Sequence, residues 1–294
     1  MSAININKEY DLNDLPKGLK ISVMCASCKL NVNINTDNIF QYMELDKNYI
    51  LTIKKSPKEI KTLIPKKKKR KSTLQDKKTK DNRSFYNQIT IVMRIGEEEV
   101  EDLREEKAIN CKLFKNGSVQ MSGCKSIEDI KKVLEKLTLT LIKKRGKIVN
   151  GMIEEIKFVE NKEMTEYKYQ NAYINEIGIY DFKIDMINSG YNCNLHINRE
   201  KLYQNLINKN ITCRYEPVQH AGLCLKYKAG NKKDISIFIF EKGKIIITGA
   251  KNRNNILNAF EYVTTILKDN STDIKKMSVE NFILNSKFSY LLKY

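Results

Sequence analysis

Two segments far apart in the chain follow one pattern, and that repetition constrains the fold more than any other feature. FKNGSVQMSGCK at 114–125 and FEKGKIIITGAK at 240–251 share their intervals from Phe to Gly, from Gly to Ser or Thr, and on to a closing Gly-x-Lys. Upstream of each lies a second matched pair, CKLNVN at 28–33 and CNLHIN at 193–198. Such self-similarity marks two copies of one supersecondary unit. Each copy reads strand, helix, several strands, helix. In the first, the periodicity predicts strands at 20–25, 49–53, 88–95, 108–114 and 119–122, with helices at 37–45 and 127–142. The second repeats this order over 181–268.

The second copy is the sharper one. Ile235 to Phe240 alternates β-branched and aromatic residues, Glu241-Lys242-Gly243 turns the chain, and Lys244 to Thr248 runs back. Both faces of that hairpin are apolar. The helix that follows carries Ile256, Ala259, Phe260, Val263 and Leu267 on one stripe, so it covers only one face. Apolar residues left on the open side of such a sheet mark an interaction surface. The class is therefore α+β. The expected organisation is an N-terminal extension 1–18, a first repeat 19–142, a linker 143–179, a second repeat 180–268 and a helical extension 269–294.

The copies differ in length. Cys28 to Phe114 spans 86 positions, against 47 from Cys193 to Phe240. Most of the surplus is the insertion 54–84, with PKKKKRK at 65–71, which is too polar and like-charged to form a core. The acidic stretch 97–106 accounts for the rest. The linker has a basic start and carries Tyr167, Tyr169 and Tyr173; the tail carries Val279, Phe282, Ile283, Phe288, Leu291 and Leu292, enough for an added helix or two.

A formal charge of +18 points to a polyanionic partner. No long apolar run and no signal-peptide core is present, so a soluble, intracellular protein without a membrane partner is expected. Seven irregularly spaced cysteines suggest reduced thiols rather than a disulfide framework. Cys25 and Cys28 form a CxxC, but no second pair completes four converging ligands, so no metal and no cofactor is expected. There is no Walker loop, no GxGxxG and no Ser-His-Asp set, so the chain does not read as an enzyme.

The run RYEP…GL…IFIFEKGKIIITGAKNR…AFEYVTTILK over 214–268 closely resembles the second half of the TATA-box-binding-protein core, and the weaker first copy extends the resemblance over most of the chain. Its long insertions are similar to those of versions encoded by large DNA viruses. The resemblance implies a saddle: two pseudo-repeats forming one curved antiparallel sheet, helices on the convex side, and the concave side on the DNA minor groove. That groove presents the same acceptors for A·T and T·A, so it is read by shape, apolar contact and deformability, and a dense array of charge would not suit it.

By the same resemblance, aromatic wedges kink the duplex from Phe114 and Phe240, while His220 and Gln88 stand where the family has two further Phe residues, with Phe85 or Tyr86 serving in place of Gln88 if the alignment slips. Lys244, Ile246 and Thr248 would face DNA in the second copy, and Ser118, Gln120 and Ser122 in the first. Asn188 matches one of two central asparagines, the other falling on Leu19. Arg94, Lys125, Lys226 and Lys251 match phosphate contacts. Glu216 matches a contact to transcription factor IIB. The function implied is initiation: binding and bending A/T-rich promoter DNA as a monomer, and recruiting a IIB-like factor and RNA polymerase, in the nucleus or in a viral factory or virion.

Other readings stay open at this stage. Phe114 and Phe240 would serve equally as core residues beside turns, and PKKKKRK as an import signal, a phosphate-binding arm or a solvated loop. Gln88, His220, Leu19 and Gln120 favour a rival: a protein-interaction adaptor on the same fold that holds DNA weakly by charge.

Overall fold

The computed structural model describes residues 12, 14–65, 87–96, 107–161, 170–174, 177–230 and 234–276. The basic run from 66, Phe85 and Tyr86, the acidic run 97–106, Tyr167 and Tyr169, and the tail from 277 lie outside the described residues. The chain forms two compact units, the first holding 24–184 and the second 185–294 together with 6–23.

The first unit contains most of β1 (Lys20–Leu30), then β2 (Val32–Ile34), α1 (Thr36–Tyr42), β3 (Ile50–Lys54), β4 (Ile60–Thr62), β5 (Gln88–Arg94), β6 (Ala108–Phe114), β7 (Ser118–Cys124) and α2 (Ile127–Ile142). Its antiparallel sheet runs β1-β7-β6-β5-β3-β4. Period-2 alternation divides each strand cleanly. Leu51 and Ile53, Ile89, Ile91 and Met93, Ile109, Cys111 and Leu113, Val119 and Met121, and Ala26 are all at most 1% exposed. Helices α1 and α2 pack on this side, against β5 and β7. The alternate residues remain half-buried or exposed, apart from Ile50, Arg94 and Cys124 at strand ends.

The linker holds more structure than its composition suggested. Arg145–Val149 (β8) and Met152–Ile156 (β9) form a hairpin across Asn150 and Gly151, both with positive φ. Val159–Asn161 (β10) pairs with β2, and Gln170–Ile174 (β11) pairs with the start of β12 (Ile177–Asn192).

The second unit takes the rest of β12, α3 (Arg199–Asn208), β13 (Cys213–Arg214), β14 (Leu223–Tyr227), β15 (Ile235–Ile239), β16 (Lys244–Ala250), α4 (Arg253–Asp269) and α5 (Ser271–Ile274). The sheet order is β12-β16-β15-β14-β13, all antiparallel. Leu223, Leu225, Ile235, Ile237, Ile239, Ile245 and Ile247 are at most 1% exposed. Each such side chain contributes about 1.5–3 kcal/mol of burial. Helix α4 buries Ile256, Ala259, Val263, Ile266 and Leu267 against β15 and β16. Phe260, expected on that stripe, is half-buried and meets Tyr191 edge-on at 4.8 Å. An α+β unit with helices on one side of an antiparallel sheet is thus present twice.

The two units close their hairpins with the same backbone bonds. Leu30 N–H donates to the Gly117 carbonyl and Ile34 N–H to that of Lys115, both at 2.9 Å; Cys193 N–H donates to Gly243 at 3.0 Å and Ile197 N–H to Glu241 at 2.8 Å. These approaches leave no room for a Cβ. Gly117 has φ +83° and Gly243 φ +78°, and an added Cβ would stand 2.6 Å from the Leu30 or the Leu195 carbonyl oxygen. Gly243→Ala therefore costs about 2 kcal/mol or more in chemical denaturation, combining left-handed strain with the clash. Gly230→Ala, at φ +68° with open space around it, costs about 1 kcal/mol; equal losses for the two would refute the clash.

Candidate nucleic-acid interface

On the face of the second unit left open by its helices, cross-strand register builds two rows. Asn188, Thr248, Ser236 and Lys226 form one; Gly190, Ile246, Phe238, Cys224 and Arg214 form the other. Thr248 Oγ1 donates to Asn188 Oδ1, and Lys226 Nζ donates to Ser236 Oγ at 2.7 Å. Lys244 is exposed, and Ile246 and Thr248 are half-buried. The expected concave-sheet residues of this copy therefore share one surface. Phe240 and His220 stand together at its end, ring centroids 5.8 Å apart, and Phe238 lies 5.2 Å from His220. Gly222 fits between them, since a Cβ there would reach 2.9 Å from His220 Cε1 and 3.1 Å from Phe240 Cζ.

The first unit repeats the register with other side chains. One row runs Thr52, Val92, Asn110, Ser122 and Cys25; the next runs Lys54, Thr90, Lys112, Gln120 and Ser27. Gln88 pairs with Phe114, and Ser118 with Lys29. The two proposed wedge positions are thus adjacent in this copy also, and a cavity of about 510 Å3 opens beside Phe114, lined by Ser27, Lys29, Gln120, Asp181 and Phe182. The surface is more polar than that of the second unit, in keeping with Ser118, Gln120 and Ser122 on it, and three lysines that the sequence reading did not place there join them, since period 2 puts Lys54, Lys112 and Lys29 on the same side as Thr90 and Ser27.

Two further expectations shift. Leu19 lies buried before β1, 5% exposed, and it is Cys25, opposite Ser122, that occupies the place Asn188 holds opposite Thr248. The match to Leu19 fails because the copies differ in the spacing from this strand to their matched Cys. Arg94, expected at a phosphate, is 3% exposed at the end of β5. Lys125, Lys226 and Lys251 are exposed. Cys25 is half-buried on the open face while Cys28, three residues on, is buried on the helix side, so the CxxC does not converge on one ion.

Lys125 precedes the N-terminus of α2, which is closed by a capping box. Asp129 accepts from the N–H of Lys125 at 2.7 Å, the N–H of Ser126 at 3.1 Å and Lys107 Nζ at 3.0 Å. Burial pushes the Asp129 carboxyl up, but Lys107 and these backbone donors outweigh it and hold it below the usual carboxylate value.

Glu216 is ion-paired to Arg214 Nε at 2.8 Å, which lowers its carboxyl below the usual value. Sequence reading missed the clamp beneath this loop. Arg199, the first residue of α3, donates to the Ala221 carbonyl beside His220 and to Glu241 Oε2 at 2.6 Å, and Glu241 also holds Lys276 at 3.0 Å. Residues on either side of the two rings are thereby tied to one helix end. Phe238 was missed as well, although it lies two positions from Phe240 and so shares its face.

Comparisons with known proteins agree with one another. Residues 181–270 match the family described as transcription factor TFIID (or TATA-binding protein, TBP). Over 285 residues, 92% of this chain, the sequence is 34% identical to a "TATA-box-binding protein-like" protein of Acanthamoeba polyphaga mimivirus, spanning 70% of that protein. The TATA-box-binding protein of Pyrobaculum neutrophilum is 30% identical over 105 residues, 35% of this chain and 50% of that protein. Among solved structures, Methanococcus jannaschii TBP gives a TM-score of 0.48 at 17% identity, covering 86% of this chain and 99% of that one.

The Asp129 cap generates a pH-dependent prediction. A native carboxyl held below its unfolded value contributes stability that is fully present above about pH 4 and lost as pH falls through the native value. Asp129→Asn should therefore cost about 1 kcal/mol at pH 7, and the gap to the wild type should close on acidification in denaturant titrations. A gap that stays constant down to about pH 2 would assign the effect to shape rather than charge.

Proposed function

Because the chain belongs to the TATA-box-binding-protein family, and so is a DNA-binding transcription factor rather than an enzyme, we propose that it binds and bends A/T-rich promoter duplex through the minor groove. The observation that carries this reading is the open face of the second unit, where Ile246, Thr248, Phe238 and Phe240 stand on the side that the helices leave uncovered. Half-buried apolar side chains and a hydroxyl suit a groove whose acceptors are degenerate and whose width and stacking are deformable. Phe240 beside His220, and Phe114 beside Gln88, are the wedge positions; unstacking a base step costs a few kcal/mol, which contact with the opened groove must offset.

Exposed Lys125, Lys226 and Lys251 fit phosphate contacts that set register without reading sequence. Glu216 is the candidate contact to a IIB-like factor, and through that factor to RNA polymerase. Action as a monomer on DNA, in the nucleus or a viral factory, belongs to the same reading. The hydrophilic open face of the first unit specifically favours the adaptor alternative, in which DNA is held by charge alone.

Binding of the full chain to a TA-rich and a GC-rich duplex across a salt series, with a fluorescence bend assay, separates the two. The proposal expects tighter binding and a bend on the TA-rich duplex, with both lost at least tenfold in Phe240→Ala. Equal affinities, a steep salt dependence and no bend would replace it with the adaptor.

A further inference from the structure

His220 and Phe240 face each other but belong to different elements, the loop 215–222 and the turn after β15. Within the loop the Glu216 carbonyl accepts from the N–H groups of Gln219 at 3.0 Å and His220 at 2.9 Å, and Gly222 N–H donates to His220 Nδ1 at 3.0 Å. Among the described residues, one hydrogen bond ties the loop to another element: Arg199 Nη1 donates to the Ala221 carbonyl. Nη2 of the same guanidinium reaches Glu241 Oε2 at 2.6 Å, and its carbon lies over the Tyr215 ring, 5.6 Å from the centre. Ala221 follows His220, and Glu241 follows Phe240. A single planar group therefore spans the residues next to the two rings. Lys276 holds the other carboxylate oxygen, Nζ to Glu241 Oε1 at 3.0 Å. Its backbone is stitched to the segment just before Arg199, since Lys276 N–H donates to the His196 carbonyl at 2.8 Å and Asn198 N–H to that of Ile274 at 2.7 Å. This C-terminal piece lies beyond the span 181–270 that matches the family.

We propose that Arg199, backed by Lys276, is a positioning residue for DNA deformation: it holds the His220 loop and the Phe240 turn at one separation, so that the two rings act as a single rigid wedge. This rests on the DNA-binding reading above. Driving a ring between base pairs costs unstacking free energy, and a ring on a loop that can slide aside gives way before the duplex does. The guanidinium suits the task because its donors form a fixed fork, so two acceptors bound to it cannot change their spacing independently. A lysine ammonium has no such geometry. Arg199 itself does not meet DNA: its side chain is 17% exposed, and both Nη groups are engaged by protein acceptors. The clamp therefore governs how strongly the protein distinguishes a deformable step from a stiff one, and leaves the charge-driven part of the affinity alone. Through Lys276, a segment outside the family match takes part in that discrimination.

The test uses the full chain with a TA-rich and a GC-rich duplex, labelled for bend angle by energy transfer, across a salt series, with denaturant midpoints measured in parallel. Arg199→Lys, which keeps the charge and removes the fork, should reduce the bend and lower the ratio of TA-rich to GC-rich affinity by about fivefold to tenfold, leaving GC-rich affinity unchanged. Arg199→Gln should do the same with the slope of log K against log salt unchanged. Lys276→Gln alters an exposed pair and leaves the fold intact; it should move bend and ratio in the same direction by about twofold, and Lys276→Arg should restore both. On a Phe240→Ala background Arg199→Lys should cost nothing further, because the clamp acts through that ring. An Arg199→Lys protein that bends and discriminates like the wild type overturns the proposal, as does an additive loss on the Phe240→Ala background. A slope lower by about 0.9 in Arg199→Gln would make Arg199 a phosphate contact and overturn it too. A wild-type protein that neither prefers nor bends the TA-rich duplex defeats the DNA-binding reading itself, so the two failures are distinguishable.

Discussion

Helical cover on only one face of each sheet is the constraint from which the remaining features follow. Strand side chains alternate, so once Ile237, Ile239, Ile245 and Ile247 are committed to α4, the residues between them are left on the face that the helix does not cover. Whatever occupies those positions is presented outward in a fixed register. The first unit obeys the same geometry, with Ile89, Ile91, Ile109 and Leu113 fully buried and Thr90, Asn110 and Lys112 turned the other way. The glycine turns hold this arrangement at its edge, because carbonyls of the crossing segment occupy the space a side chain would need.

The duplication preserves backbone relations more faithfully than side-chain chemistry. The clamps beside the two hairpins illustrate this. In the second unit a base on the helix start, Arg199, meets an acid after Phe240, Glu241, at 2.6 Å. In the first the charges are exchanged: Asp37 near the start of α1 lies 3.7 Å from Lys115, after Phe114, and 2.6 Å from Lys55. Either polarity ties helix to turn, so the pair can invert as long as both members change. The Asp37 bridges are exposed and contribute little to stability, at most about 1 kcal/mol each. Their consequence is positional.

Legibility in the sequence tracked the strength of local pattern. The strand 108–114 and the helix 127–142 have the bounds expected from the sequence, because the alternation of the one and the helical periodicity of the other are strong. Strand β1 runs on to Leu30 where a shorter one was expected, since Ser27 and Lys29 are polar only on the open side. The Asn150-Gly151 hairpin was readable but obscured by the charged residues around it. Of the interface, the shared face of Lys244, Ile246 and Thr248 followed from counting by two, and so would Phe238 have done, while Phe240 was singled out by the family resemblance. Arg94's burial and the Arg199 clamp depend on contacts across elements, which no one-dimensional period records, whereas the lysines of the first open face follow period 2 within their own strands.

The central claim, that the face opposite the helices is the one that meets DNA, can be tested most directly by lysine-modification footprinting of the full chain with and without an A/T-rich duplex. The account predicts that duplex protects Lys226 and Lys244 in the second unit and Lys112 in the first, while Lys201 on α3 and Lys268 on α4 remain equally reactive. Protection of the helix lysines with no change on the open-face lysines would contradict it.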